Sequence, residues 1–123
     1  MILLDSNIII YSALPEYDYL HEFYGKKNSF ASEISLLEVL GFSRITKEQE
    51  AFFSTIFSFI QVLPITSEII EQAISFRKRY NLSIGDAIIA STAFVNDLTL
   101  LTNNVADYKK IKEITLKNPI KEH

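Results

Sequence analysis

The feature that most constrains this chain is an alternation. Short apolar runs such as ILL at 2–4 and LTLL at 98–101 are separated by stretches whose apolar residues recur at helical spacing. Strand, helix, strand in that order requires crossover connections, and crossovers produce parallel sheets with helices packed on both faces. The expected architecture is α/β, a three-layer arrangement with a mostly parallel central sheet flanked by helices. Strands are expected at 2–5, 29–31, 61–65, 98–101 and 114–116. Helices are expected from Ser6 to about Ala13, from Asp18 to Tyr24 closed by Gly25, and from Ser35 to about Arg44. Further helices follow Thr46 through Phe59, Thr66 or Ser67 to Asn81, and Ser83 through IGDAIIASTAFVN, with a last turn from Val105 to Lys109; Pro15 marks a break.

In an open sheet of this kind ligands bind beyond the carboxyl ends of the strands, where strand order reverses. That rule makes Asp5 conspicuous, because it ends the apolar run MILLD at such a strand end. An isolated ionised carboxylate in an apolar interior costs several kcal/mol, on the order of the penalty for any unpaired buried charge. Three other acids occupy comparable places: Glu38 in SLLEVL, Asp86 in SIGDAIIA and Asp107 in TNNVADY, each in or just before the first turn of an expected helix. The plain explanation of any one of them is helix capping, since Ser35 with Glu38 and Ser83 with Asp86 have capping-box spacing and Asn104 with Asp107 imitates it. Caps need no apolar neighbours, however. Glu38 sits among Leu36, Leu37, Val39 and Leu40, and Asp86 precedes Ala87, Ile88 and Ile89, so Asp5, Glu38 and Asp86 are expected to be drawn inward together. Grouped carboxylates repel one another unless a cation neutralises them, and hard oxygen ligands without His or Cys favour Mg²⁺ or Mn²⁺.

Composition is consistent with this. A chain of 123 residues, 48% hydrophobic and 22% charged, can bury a core as one domain spanning 1–123. With no Cys there is no thiol nucleophile, zinc finger or disulfide, which fits a reducing cytoplasmic location. The apolar runs are too short and interrupted for a membrane span, which takes roughly 20 residues, and Asp5 breaks the only N-terminal stretch that could resemble a signal. No glycine-rich phosphate loop is present.

The order LLDSN, SLLEVLG, GDAIIASTA and LLTNNVADY resembles the PIN-domain ribonucleases, and among them the VapC-type toxins of toxin–antitoxin pairs; the resemblance runs from Asp5 to Pro119. It implies a PIN-like fold and a metal-dependent endoribonuclease in which Asp5, Glu38 and Asp86 match the family's first three acids. Ser6 and Asn7 match the residues that support the first acid by hydrogen bonding. The fourth acid is assigned to Asp107, with Asn104 and Thr102 supporting a ligand or metal-bound water, although some PIN domains carry that acid at the position of Asn104. The resemblance further implies an RNA substrate, a homodimer and a cognate antitoxin protein. The only histidines are His21 and His123, the latter expected to be terminal and non-catalytic, and metal-activated water makes a His base unnecessary.

A formal charge of −3 at first disfavours a nucleic-acid enzyme, yet one divalent ion brings it to −1 and two to +1. Basic residues cluster at Arg77, Lys78 and Arg79 and at Lys109, Lys110 and Lys112, with Arg44 apart; these are either solvated faces or phosphate contacts. Phe52, Phe53, Phe57 and Phe59 fall on more than one helix face, so that helix is either buried on two sides or lines a partner groove to which Ile8, Ile9, Ile10, Tyr11 and Leu14 could contribute. Rival readings are an inactive PIN-like binding module, a housekeeping RNA-processing nuclease, a receiver-like domain, which lacks its acidic pair here, and an aspartyl-nucleophile phosphohydrolase, whose second Asp is replaced by Asn7.

Overall fold

The computed structural model describes residues 1–25 and 27–121. Five strands, β1 (Ile2–Leu4), β2 (Ser29–Ser32), β3 (Gln61–Leu63), β4 (Thr99–Leu101) and β5 (Leu116–Lys117), form one sheet in the order β3-β2-β1-β4-β5, and all four pairings are parallel. The helices are α1 (Ser6–Tyr11), α2 (Glu33–Leu40), α3 (Lys47–Ser58), α4 (Ser67–Arg79), α5 (Ile84–Val95) and α6 (Val105–Tyr108). A 3₁₀ segment, Pro15–Phe23, kinks at Tyr17. Pro15 starts this segment rather than merely breaking the chain, as its fixed φ and missing N–H allow at a first helical position.

Two hydrophobic cores lie on opposite faces of the sheet, which establishes three layers. Successive strand residues point to opposite faces: Leu3 and Leu100 pack with α4 and α5 through Ile69, Phe76 and Ile89, while Leu4 and Leu101 pack with α1 and α3 through Ile8, Ile9 and Phe53.

Strand ends come out shorter than expected at 5, 65 and 98, and the last strand shifts to Leu116–Lys117. The larger difference is in α2. Ser32, not Ser35, is the N-cap, with its hydroxyl accepting the Ile34 N–H, and the helix ends at Leu40. Glu38 therefore lies in the second turn and Ser35 is buried inside the helix, so no Ser35–Glu38 capping box exists. The α3 phenylalanines divide: Phe53 and Phe57 are core, Phe52 is half-buried beside His21, and Phe59 is exposed. His21 reaches the Ser12 carbonyl with Nε2 and stacks on Tyr24, holding the 3₁₀ segment to the end of α1. His123 lies outside the described residues.

Candidate active site

Strand order reverses beside β1. The chain runs outward from β1 through β2 to β3, then resumes on the other side of β1 with β4. Leu4 is paired with Leu101, and the residues that follow them are Asp5 and Thr102, with the Asp5 N–H donating to the Leu101 carbonyl at 3.0 Å. These two residues thus stand at the crevice where a doubly wound sheet takes its ligands.

Asp5 is 4% exposed. Although it occupies the N-cap position of α1, its carboxylate makes no cap bond; Oδ2 instead accepts the hydroxyl of fully buried Thr102 at 2.7 Å. Thr102 Oγ1 in turn accepts the Asn104 N–H at 2.9 Å, which fixes the direction of the Thr102 proton. Burial pushes the Asp5 carboxyl up to about 6; the Thr102 hydroxyl and the Ser6 backbone oppose that rise, and the charges of Asp86 and Glu38 add to it.

Glu38 arrives from α2. Its Oε1 accepts the Ser6 hydroxyl at 2.7 Å, and that hydroxyl also lies 2.8 Å from Ser35 Oγ. The remaining oxygen, Oε2, faces Gly85 so closely that a Cβ there would sit 2.8 Å from it. Asp86 follows Gly85 in the first turn of α5, where its N–H donates to the Ser83 hydroxyl. Its side chain does not complete a capping box; Oδ1 accepts the hydroxyl of fully buried Tyr108 at 3.0 Å. Burial holds that phenol far above its ordinary value, followed by the charges of Asp5 and Asp86, the bond to Asp86 and the charge of Glu38. One buried hydroxyl thus experiences all three acids.

Asp5, Glu38 and Asp86 are therefore brought to one place, but not equally buried: Asp86 is half-buried and Glu38 is exposed, against the expectation that all three turn inward. Glu38 reaches inward only through Oε1, which accepts the hydroxyl of buried Ser6. The supporting residues also differ from expectation. The Ser6 side chain serves Glu38 rather than Asp5, and Asn7 is exposed, while Thr102 carries the bond to Asp5. Asp107 is exposed and its Oδ2 accepts the Asn104 side-chain amide at 2.9 Å, so these two rivals for the fourth position are tied to each other. Two residues at the site had not been singled out: Tyr108, hidden behind the acid before it in VADY, and Gly85. A glycine in the first turn of a helix is otherwise unfavourable, and that was the available signal.

Among the described residues no three His, Cys, Asp or Glu side chains are drawn together tightly enough to hold an ion as they stand. The donor set nevertheless suits a hard dication. It consists of carboxylate oxygens, Gly85 leaves the space beside Glu38 Oε2 open, and the charges crowding Asp5 have only hydroxyl and backbone donors against them.

The PIN domain family model matches residues 2–114. The chain belongs to the PIN domain family. Among solved structures, this PIN domain is similar to a toxin–antitoxin complex from Klebsiella pneumoniae, at 27% identity and TM-score 0.80, with 99% of this chain and 100% of that one covered. It shares the fold of VapBC2 from Rickettsia felis bound to a promoter DNA fragment (24% identity, TM-score 0.81, 96% and 98% covered). The same fold occurs in FitAcB from Neisseria gonorrhoeae (20%, TM-score 0.79, 97% and 98% covered). No curated protein sequence matches the chain. No helix of the described residues is long and apolar enough to cross a membrane.

Proposed function

We propose that this PIN domain, acting as one unit over residues 1–123 in the cytoplasm, is a Mg²⁺- or Mn²⁺-dependent endoribonuclease and the toxin of a toxin–antitoxin pair. The observation that carries the reading is the state of Asp5: a buried carboxylate at the switch point, raised by burial and by two neighbouring acids, with only hydroxyl and backbone donors to offset it. A residue kept in that condition answers to a cation. Asp5, Asp86 and Glu38 are the residues that hold it, with Asp107, steadied by Asn104, as the fourth acid on the exposed side. When bound, a divalent ion supplies charge neutralisation for an anionic phosphodiester and a water of lowered pKa. The chain's own contribution is orientation. Thr102 holds one oxygen of Asp5, Ser6 one oxygen of Glu38 and Tyr108 one oxygen of Asp86, which sets the orientation of each carboxylate.

The basic clusters are partly committed elsewhere. Arg79 pairs with Glu113 and stacks on Phe76 and Tyr80, Arg77 Nε donates to the Leu82 carbonyl, and Lys110 Nζ to the Asn81 carbonyl. Exposed Arg44, Lys78, Lys109 and Lys112 remain as phosphate contacts. For the antitoxin, the fitting surface is an apolar groove formed by Ile10, Leu14, Phe42, Ile45 and Phe53, with Glu38 in its wall. A chain laid in it reaches an acid of the site. Phe53, Ile10 and Leu14 line it as the sequence suggests, whereas Ile8 and Ile9 are buried and Phe52 and Phe59 face the His21 side. Homodimerisation fits Ile70 and Ile74, exposed one turn apart on α4.

The test is cleavage of single-stranded RNA by purified protein with Mg²⁺ or Mn²⁺. Asp5→Asn should abolish it and relieve the growth arrest that follows expression. Equal RNA degradation by Asp5→Asn would mark the activity as contaminating and end the assignment.

A further inference from the structure

A second group of polar side chains lies on the same carboxyl edge of the sheet as Asp5. The Thr102 N–H donates to the Lys117 carbonyl at 3.0 Å, so Asn103 and Asn118, just beyond the ends of β4 and β5, emerge side by side. Asn103 directly follows Thr102, whose hydroxyl is on Asp5. Its Nδ2 donates to the Tyr11 hydroxyl at 3.4 Å and its Oδ1 accepts from Asn118 Nδ2 at 3.5 Å, while Asn118 Oδ1 accepts the Ile120 N–H at 3.0 Å. A backbone N–H can only donate, so it fixes which end of the Asn118 amide carries oxygen, and Asn118 in turn orients Asn103. Both amides are exposed, and the two bonds of Asn103 lie at the outer limit of hydrogen-bond distance. Asn103 is thus oriented but weakly committed.

The surroundings suit a base better than a phosphate. Tyr11, Tyr17 and Tyr19 form a run of half-buried rings with centroids 5.2 and 6.2 Å apart, and Lys121 Nζ stands 4.7 Å from the centre of the Tyr19 ring. The same 3₁₀ segment carries exposed Glu16, Asp18 and Glu22, which offset the lysine, so the rim offers neutral amides and π surface rather than a cationic track. We propose that Asn103, oriented by Asn118, is a specificity-determining residue that hydrogen-bonds the edge of an unpaired RNA base next to the cut, with Tyr11 as its stacking surface. The proposal rests on the ribonuclease reading of the neighbouring acids. An amide presents a donor and an acceptor side by side, and the Watson–Crick edges of the bases answer in two opposite orders. A and C place an amino donor beside a ring-nitrogen acceptor, whereas G and U place a carbonyl acceptor beside a ring N–H donor. An amide free to turn over accepts both orders; one held by Asn118 accepts one. A well-formed two-bond contact of this kind discriminates about tenfold.

The test uses full-length protein, Mn²⁺ and a pool of single-stranded RNAs of randomised sequence, with the early cleavage products sequenced. The expected result is that at one nucleotide beside the cut the parent separates A and C from G and U by about tenfold, and that Asn103→Ala brings this ratio to within about twofold of unity. Asn118→Ala leaves the Asn103 amide in place but releases its orientation, so it should relax the same ratio at the same nucleotide; both side chains are exposed, and the second variant serves if the first does not fold. A parent with no such separation at any position overturns the proposal. So does a separation that both variants retain, whether or not their rates fall, because a purely structural role for the two amides predicts that outcome. In either case RNA cleavage that depends on Asp5 leaves the ribonuclease reading standing. A parent that cleaves none of the pool overturns the proposal and that reading together.

Discussion

Asp5→Asn tests the physical premise of the site independently of catalysis. With its carboxyl raised from 3.8 to about 6, Asp5 holds a proton more tightly in the folded protein than in the unfolded chain. Between those values the folded state binds more protons, so stability falls as pH rises from about 4 to about 6 and is level above that. The difference amounts to about 3 kcal/mol at pH 7.5, at 1.36 kcal/mol for each unit between the two values. An Asn side chain has the same shape, can accept the Thr102 hydroxyl through its carbonyl, and carries no charge. In chelator, Asp5→Asn should therefore be more stable than the parent by up to about 3 kcal/mol at pH 7.5, roughly 10 °C in Tm for a domain of this size. The gain should fall to about half at pH 5 and to about 0.5 kcal/mol at pH 4, and vanish below about pH 3, where the parent is protonated in both states. Saturating Mg²⁺ reverses the order, since an ion at a hundred times its Kd stabilises the parent by about 2.7 kcal/mol and the variant far less. Urea unfolding across pH 4 to 8, with and without Mg²⁺, measures both. A variant less stable than the parent at pH 7.5 in chelator, or a gain independent of pH, refutes the idea that the Asp5 charge is an uncompensated burden.

Two further substitutions separate geometry from stability. Gly85→Ala places a Cβ 2.8 Å from Glu38 Oε2, the free end of a flexible side chain, so the fold should tolerate it or gain up to about 1 kcal/mol in helix propensity, while Mn²⁺ affinity and RNA cleavage drop because Glu38 is displaced. Thr102→Val removes the hydroxyl that donates to Asp5 and accepts from Asn104 at nearly constant volume; unfolding at pH 7.5 should register a loss of about 1–3 kcal/mol, smaller at pH 4, where Asp5 is protonated.

The layers, the parallel sheet and the position of Asp5 were legible because each follows from a repeated pattern. Apolar runs too short for anything but strands alternate with helical spacing, and a carboxylate directly after such a run can only stand at a strand end. The α2 boundary was not legible, since both Ser32 and Ser35 can cap and the choice depends on how far β2 pairs with β3, a long-range contact through Ser32 and Leu63. From that single displacement follows the altered role of Glu38: one turn further into the helix, it is exposed and anchored by Ser6 across the interface with α1. Tyr108 was hidden for a different reason. Helical periodicity gives no signal over the four residues of α6, so nothing local shows whether Asp107 or Tyr108 turns toward the acids.

The unequal burial of the three acids has an energetic consequence. A fully buried site with three charges would burden the empty protein three times over, whereas here the strongly shifted acid is Asp5, whose backbone is fixed by the β1–β4 pairing and whose side chain is short. Glu38, on a helix and at the edge of the apolar groove, retains water around its carboxylate while the Ser6 hydroxyl holds one of its oxygens. The buried acid carries the desolvation cost and the exposed one does not. The same division explains why removing charge at Asp5 should stabilise the metal-free protein, while Glu38→Gln, a change at a solvated carboxylate, should leave its stability within about 0.5 kcal/mol and still weaken the ion's hold.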